Sequence, residues 1–270
     1  MLDTLYIAKL AVSTKVGHTL PKTVEKGCVL WYNVVIKQME RTMIYVTGDT
    51  HGMLQFDKLQ KFAKRHTNLT KDDYVIICGD FGGVWSESTL ATYLNNYQNL
   101  PFSVLWVDGN HENFDMLEKY PVEMWNGGKV QFVQPTVIRL MRGQVFCICG
   151  KKFFTFGGGT SVDKARRTPG VSWWEQEIPS YEELSEAIVN LRKHDYKVDF
   201  VITHSVDEHA LSHPAMKQSP KSCKVFQDNV ILSVFENCVA YKHWYFGHYH
   251  LDEQLSPSKT ALFHQILKIV

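Results

Sequence analysis

No stretch of this chain approaches the ~18–20 consecutive apolar residues that a membrane span needs, so no membrane partner is expected. The N-terminal MLDTLYIAKLAVSTKVGH reads as a poor secretion leader, with an acid at position 3 and no basic segment ahead of its apolar residues. None of the six cysteines, Cys28, Cys78, Cys147, Cys149, Cys223 and Cys238, forms a CxxC. Cys147 and Cys149 alternate on one face of a predicted strand but sit too close in sequence for a comfortable bridge. All six therefore read as reduced thiols of a cytoplasmic protein. Charge of one sign is also lacking. The formal net charge of +1 advertises no nucleic-acid or anionic-surface partner, and any such binding would need a local patch. There is no internal repeat and no low-complexity segment. What remains is an ordinary globular composition, 44% hydrophobic and 21% charged over 270 residues, with an unusual twelve histidines.

Residues 1–42 stand apart. Their run CVLWYNVVI suits a strand or part of a helix, and they carry none of the polar motifs found further on. They read as an N-terminal extension, either packed on the core or lying upstream of a native start at Met43. Residues 43–270 read as one domain. From Met43, strands over 43–48, 73–78 and 103–107 alternate with helices near 54–66, 88–98 and 113–119, which argues for a parallel sheet covered by helices. The stretch VQFVQPTVIRLMRGQVFCICGKKFFTFGGG reads as consecutive antiparallel strands with Gly turns. A long segment with Lys164, Arg166, Arg167, Trp173 and Trp174 follows. Ser180 with Glu183 then forms the capping box of a helix whose buried stripe is Leu184, Ile188 and Leu191. Strands near 198–203 and 243–247 come next, and LFHQILKIV is expected to add a closing strand.

Five of these apolar runs end in metal-loving side chains. MIYVTGDTH delivers Asp49 and His51, and YVIICGD delivers Asp80. SVLWVDGNHE delivers Asn110 and His111, DFVITH delivers His204, and HWYFGHYH delivers His248 and His250. In open α/β sheets, reacting groups collect past the carboxyl ends of strands, so these side chains can converge. Asp, His and Asn ligands suit divalent manganese, iron, zinc or nickel. One carboxylate can bridge two ions about 3.5–4 Å apart, which together clamp a phosphoryl group and turn a shared water into hydroxide near neutral pH. A histidine beside the ions can then protonate the leaving alkoxide.

The ordered blocks Asp49-Thr50-His51, Gly79-Asp80, Gly109-Asn110-His111-Glu112, His204 and Gly247-His248-Tyr249-His250 resemble those of the calcineurin-like metallophosphoesterases, from about Met43 to His250. The resemblance implies an αββα sandwich, two mixed β-sheets packed face to face with helices outside. It also implies two divalent ions, manganese expected first. Asp49, His51 and His250 would hold one ion, Asn110, His204 and His248 the other, and Asp80 would bridge them. His111 would touch the phosphate and act as general acid. The reaction implied is hydrolysis of phosphate mono- or diesters.

One block departs from the pattern. Where the family's phosphoprotein phosphatases place a second acid and an Arg after the GD, this chain has Gly79-Asp80-Phe81-Gly82-Gly83-Val84-Trp85. The partner that orients His111 must come from elsewhere. Arg166 and Arg167 are the candidate replacements for the missing phosphate grip, against a solvated loop as the plain alternative. Trp173 and Trp174 are candidates to stack on a nucleotide-like substrate, against covering a core edge. Gly157, Gly158 and Gly159 read as a turn or as a close backbone approach to the site. His209 and His213 match no block and read as surface or structural residues. Lys58, Lys61, Lys64 and Arg65 read as the solvated face of one helix. A non-catalytic scaffold on the same fold would be free to lose ligands, but this chain keeps all of them. A nuclease would need an extended basic surface, which the sequence does not display.

Overall fold

The computed structural model describes residues 41–219, 221 and 224–270. The expectations for residues 1–40, and for Cys28 and Cys223, lie outside them. Thr42–Val270 forms one compact unit. It begins with the expected alternation: β1 (Ile44–Thr47), α1 (Phe56–Arg65), β2 (Tyr74–Ile77), α2 (Glu87–Gln98), β3 (Ser103–Trp106) and the single turn α3 (Phe114–Leu117). Strands β4 (Glu123–Trp125), β5 (Gly128–Gln134), β6 (Val137–Leu140), β7 (Gln144–Ile148) and β8 (Lys151–Phe156) follow. The rest is α4 (Tyr181–Arg192), β9 (Phe200–Thr203), α5 (Glu208–Leu211), α6 (Gln227–Cys238), β10 (His243–Phe246), β11 (Glu253–Ser256), β12 (Lys259–Ala261) and β13 (Ile266–Lys268).

Two mixed sheets result, flanked by helices. The first has seven strands in the order β13-β1-β2-β3-β6-β5-β4, the second six in the order β11-β12-β10-β9-β8-β7. Strands β1, β2, β3 and β6 run parallel, as do β8, β9, β10 and β12. The tail strand β13 closes the first sheet antiparallel to β1, with Tyr45 opposite Lys268.

Side-chain alternation explains the layers. On β1, Ile44 and Val46 point between the sheets, where they meet a core that includes Ile76, Leu105, Phe146, Phe153 and Ile202. Tyr45 points the other way, into a second core with Phe56, Leu59 and Phe62 of α1 and Tyr97 of α2. The outer face of the second sheet buries Phe154, Val201 and Trp244 against Ala187 and Leu191 of α4 and Phe235 of α6.

The antiparallel pairs β5–β6 and β7–β8 form as the sequence suggests. The chain, however, changes sheets between β6 and β7. Period-2 alternation marks a strand but not the sheet it joins, so this crossing carries no sequence signal. Ser180 caps α4 as expected, accepting from Glu183 N at 3.2 Å while Glu183 Oε2 accepts from Ser180 N at 2.8 Å. The described cysteines Cys78, Cys147, Cys149 and Cys238 are free thiols. Among the described residues, no helix is long and apolar enough to cross a membrane.

Candidate metal centre

Parallel strands send their carboxyl ends to one edge, and the loops leaving β1, β2, β3, β9 and β10 meet there. The first three belong to one sheet and the last two to the other. Backbone bonds lock the loops together. Thr50 N and His51 N both donate to Asp80 O, at 3.1 and 2.8 Å, and Gly52 N donates to Phe81 O at 2.8 Å. Side chains complete the lock: Asp49 Oδ1 accepts from His248 N at 2.9 Å, and Asp80 Oδ1 from His111 N at 2.7 Å.

The approach is close enough to dictate residue type. A Cβ on Gly109 would sit 2.0 Å from Asp80 Oδ1 and 2.2 Å from Asp80 N. One on Gly159 would sit 3.0 Å from His204 Cδ2, so the Gly157–Gly159 turn does approach the site with bare backbone. The backbone is also strained. Four of the loop-borne side chains, His51 (φ 45°), Asp80 (φ 49°), His248 (φ 64°) and His250 (φ 54°), lie in the left-handed region. Each such non-glycine residue costs ~1 kcal/mol or more, and strain of this kind collects where function requires a side chain to be aimed.

The aimed groups form two clusters sharing one carboxylate. In the first, His51 Nε2 lies 3.1 Å from His250 Nε2, and Asp49 Oδ2 lies 3.5 and 3.1 Å from those two atoms. In the second, His204 Nε2 lies 3.1 Å from Asn110 Oδ1 and 3.1 Å from His248 Nδ1. Asp80 joins them, with Oδ1 3.3 Å from His204 Nε2 and Oδ2 3.7 Å from His51 Nδ1. His204 donates from Nδ1 to Cys78 O at 2.8 Å, which turns Nε2 toward the cluster.

Asp49 and Asp80 are both fully buried, yet Oδ2 of each has no hydrogen-bond partner. A buried carboxylate oxygen without a donor is costly unless a cation faces it. These orphaned oxygens, faced by imidazole nitrogens, fit divalent metal ions. Without ions, His204 takes up charge. Burial lowers His204, but the adjacent Asp80 and Asp49 carboxylates lift it to about 9. Burial raises Asp49, but the His250 and His51 imidazoles facing its Oδ2 hold it well below the usual carboxylate range.

His111 stands at the rim, half-buried, its ring centroid 4.9 Å from that of His51. Burial pushes it down to about 4, with Asp80 opposing the shift and Arg167 adding to it. Arg167 lies along the ring, Nη1 3.3 Å from Nδ1 and Nη2 3.0 Å from Nε2, while its Nε pairs with Asp163 at 2.8 Å. Arg166, one residue earlier on the turn Lys164–Arg166, is exposed. A second cation, Lys221, reaches His250 Nε2 at 3.1 Å.

Lys58 departs from its sequence expectation, and Trp174 takes the core-edge place of its two alternatives. Trp174 is 4% exposed, donates to Asp115 Oδ2 at 2.8 Å and packs edge-on to Trp85, so it cannot stack on a nucleobase. Trp173 is half-buried, with Lys164 5.6 Å above its ring. Lys58 is not on a solvated face. Its Nζ donates to Gly48 O at 2.9 Å, to Asp49 O at 2.8 Å and to Phe263 O, clamping the loop that carries Asp49. Burial pushes its ammonium down to about 8, with Asp49 opposing. Lys61, Lys64 and Arg65 do face solvent. Glu112 accepts from Phe81 N at 2.8 Å and Gly82 N at 3.3 Å, holding the loop after Asp80, while Asn113 caps α3. His209 is exposed, and His213 accepts from Ala215 N at 3.2 Å.

A family model described as calcineurin-like phosphoesterase matches residues 42–252. Among solved structures, the chain is similar to a phosphopantetheinyl hydrolase from Mycobacterium tuberculosis, at 14% identity and a TM-score of 0.41, over 82% of this chain and 89% of that one. That likeness is too slight to bear on substrate. No curated protein matches the chain.

Proposed function

This chain belongs to the calcineurin-like phosphoesterase family, a metal-dependent phosphoester hydrolase, and from that premise we propose how its residues divide the work. Asp49, His51 and His250 hold one divalent ion, Asn110, His204 and His248 hold a second, and Asp80 bridges them. The observation that supports this most directly is the pair of fully buried oxygens, Asp49 Oδ2 and Asp80 Oδ2, each faced by imidazole nitrogens but without a hydrogen bond. Manganese is the ion to test first, with iron, zinc and nickel as alternatives. Bound ions supply two things here: a lowered pKa for water and positive charge against the phosphoryl oxygens.

The chain's own groups do the rest. His111 touches the phosphate and delivers a proton to the leaving oxygen. Its low proton affinity in the metal-free protein reflects burial and the nearby cation, and a phosphate placed between His111 and Arg167 would reverse the second effect. Arg167 takes the place of the Arg missing after Gly83, giving its guanidinium face to phosphate oxygens. Arg166 has no part in this assignment. Lys221 adds a second positive charge from another loop. Two cations beside the cluster favour the dianion of a phosphomonoester over the monoanion of a diester. With Trp174 buried in the core, the assignment includes no nucleobase platform.

Residues 43–270 are proposed as the catalytic domain and 1–42 as a dispensable extension, since every assigned residue lies between 49 and 250. Among the described residues, the free thiols Cys78, Cys147, Cys149 and Cys238 support placement in the reducing cytoplasm.

The experiment is hydrolysis of paired chromogenic mono- and diesters by metal-stripped protein, with Mn²⁺, Ni²⁺, Zn²⁺ or Mg²⁺ restored in turn, alongside His111→Ala and a variant starting at residue 43. Metal-dependent turnover, faster on the monoester, retained by the truncation and lost in His111→Ala, is expected. Faster diester turnover would refute the monoester assignment, and full activity in His111→Ala would refute the general acid.

A further inference from the structure

Asn110 differs from the other assigned ligands because it has two chemically opposite ends. Its amide oxygen can face a cation, whereas its NH₂ cannot. The correct end must therefore be fixed before an ion arrives. Asn110 Nδ2 donates to Ser161 Oγ at 3.0 Å. Ser161 donates its hydroxyl to Glu177 Oε2 at 2.6 Å and its backbone N–H to Oε1 at 2.8 Å. None of the three is more than 3% exposed, so water has little access to scramble the order. A serine hydroxyl has one proton. Once that proton goes to the carboxylate, Oγ can only accept from Asn110, which leaves Asn110 Oδ1 facing His204 Nε2 at 3.1 Å.

We infer that Glu177, acting through Ser161, is a positioning residue that sets the Asn110 amide so that its oxygen faces the second ion. The inference rests on the two-ion reading proposed above. Ser161 follows the Gly157–Gly159 turn and Glu177 ends the short turn Glu175–Glu177, so both come from the long segment between β8 and α4. Gly159 N donates to Glu177 O at 3.1 Å, which fixes the backbone of that turn independently of the carboxylate. The carboxylate therefore adds its two bonds to Ser161 without having to hold the Gly159 turn.

Reversing the relay tests this. In Glu177→Gln the carbonyl oxygen keeps the bond from Ser161 N, and the amide nitrogen then faces Ser161 Oγ and donates to it. Ser161 must turn its proton toward Asn110, and the amide turns with it. Asn110→Asp supplies an acceptor at both ends and so restores a consistent relay in the Glu177→Gln background. In the wild-type background, the same aspartate faces a lone pair of Ser161.

The readout is Mn²⁺ stoichiometry and affinity of the full chain by calorimetry, with thermal melting of each metal-free variant. Wild type should bind two ions. Glu177→Gln and Ser161→Ala should weaken the second ion ~10–100-fold, the range for outer-shell partners, and leave the first unchanged. Asn110→Asp should tighten the second ion at least about tenfold more in the Glu177→Gln background than in wild type, a non-additivity that a packing role would not produce. Should Glu177→Gln fail to fold, Ser161→Ala alone decides. Two ions at wild-type affinity in whichever single variant folds, or equal effects of Asn110→Asp in both backgrounds, would overturn the inference. A wild type that binds only one ion would instead bring down the two-ion reading, and the inference with it.

Discussion

Asp80 is the side chain on which both clusters depend. Its Oδ1 already accepts from His111 N and faces His204, while Oδ2 faces His51 with no donor. Asp80→Asn preserves the shape but must turn an NH₂ toward one of the two sides. It is expected to weaken both ions and to lower kcat by at least ~10²-fold, the scale for losing one preorganised electrostatic group. Atomic absorption of the dialysed protein and steady-state kinetics check this, and two tightly retained ions would count against the bridge. The adjacent arginines provide a sharper contrast. They are indistinguishable by composition, yet Arg167 lies on His111 and Arg166 is exposed. A charge-assisted hydrogen bond contributes ~1.5–3 kcal/mol, so Arg167→Ala should lower kcat/KM by about 10–100-fold and Arg166→Ala by less than about twofold. Equal effects would return the turn to a solvated loop.

At the level of elements, the site is a property of where strands stop. Each of β1, β2, β3, β9 and β10 ends at the same edge, and the residues just beyond are the ones aimed inward. This much was legible, because period and β-branched content mark strands and parallel pairing fixes which ends converge. The sequence did not reveal contacts that depend on distant chain. Lys58 reads as one of four basic residues on a helix, and the carbonyls of Gly48, Asp49 and Phe263 brought round it give it a reason to turn inward. Trp174 reads as a candidate platform or a core-edge cover, and contact with Trp85 and with Asp115 of α3 decides for the second. The glycine before Asn110 is a case where the spacing was visible and its reason was not. Its Cβ would collide with the backbone nitrogen of Asp80, two strands' loops being pressed together. Gly109→Ala should therefore force one loop away. Overpacking of this kind costs ~1–3 kcal/mol, a fall in Tm of about 2–12 °C for a domain of this size, with loss of the second ion. Calorimetric metal binding and a melting curve on one sample would show it, and an unchanged melting curve with two ions bound would contradict the close packing.

For the molecule as a whole, the clusters lie where the two sheets meet along one edge, and each draws on both. The first takes Asp49 and His51 from the seven-stranded sheet and His250 from the six-stranded one. The second takes Asn110 from the former and His204 and His248 from the latter. Between the sheets lies an apolar layer of Ile44, Val46, Leu105, Phe153 and Ile202 that holds them together without any ion, so the metal-free protein should still fold. At the edge, however, the packing gives way to two buried carboxylates and a ring of imidazoles whose charges balance only partly. Ions placed there would join one sheet to the other and be absent from the unfolded chain. Binding to the native state alone adds RT ln(1 + [L]/Kd), about 2.7 kcal/mol per ion at a hundredfold excess over Kd. At ~2–4 °C per kcal/mol for a domain of this size, each ion should raise Tm by about 5–11 °C over the chelator-treated protein. The rise should come in two steps as Mn²⁺ is titrated if the two ions differ in affinity, and Asp80→Asn should lose most of both. Scanning calorimetry across a metal titration measures it. A Tm indifferent to metal, in a protein that nonetheless turns over, would mean that the ions do not join the sheets and that the interlayer core alone sets the stability of the site.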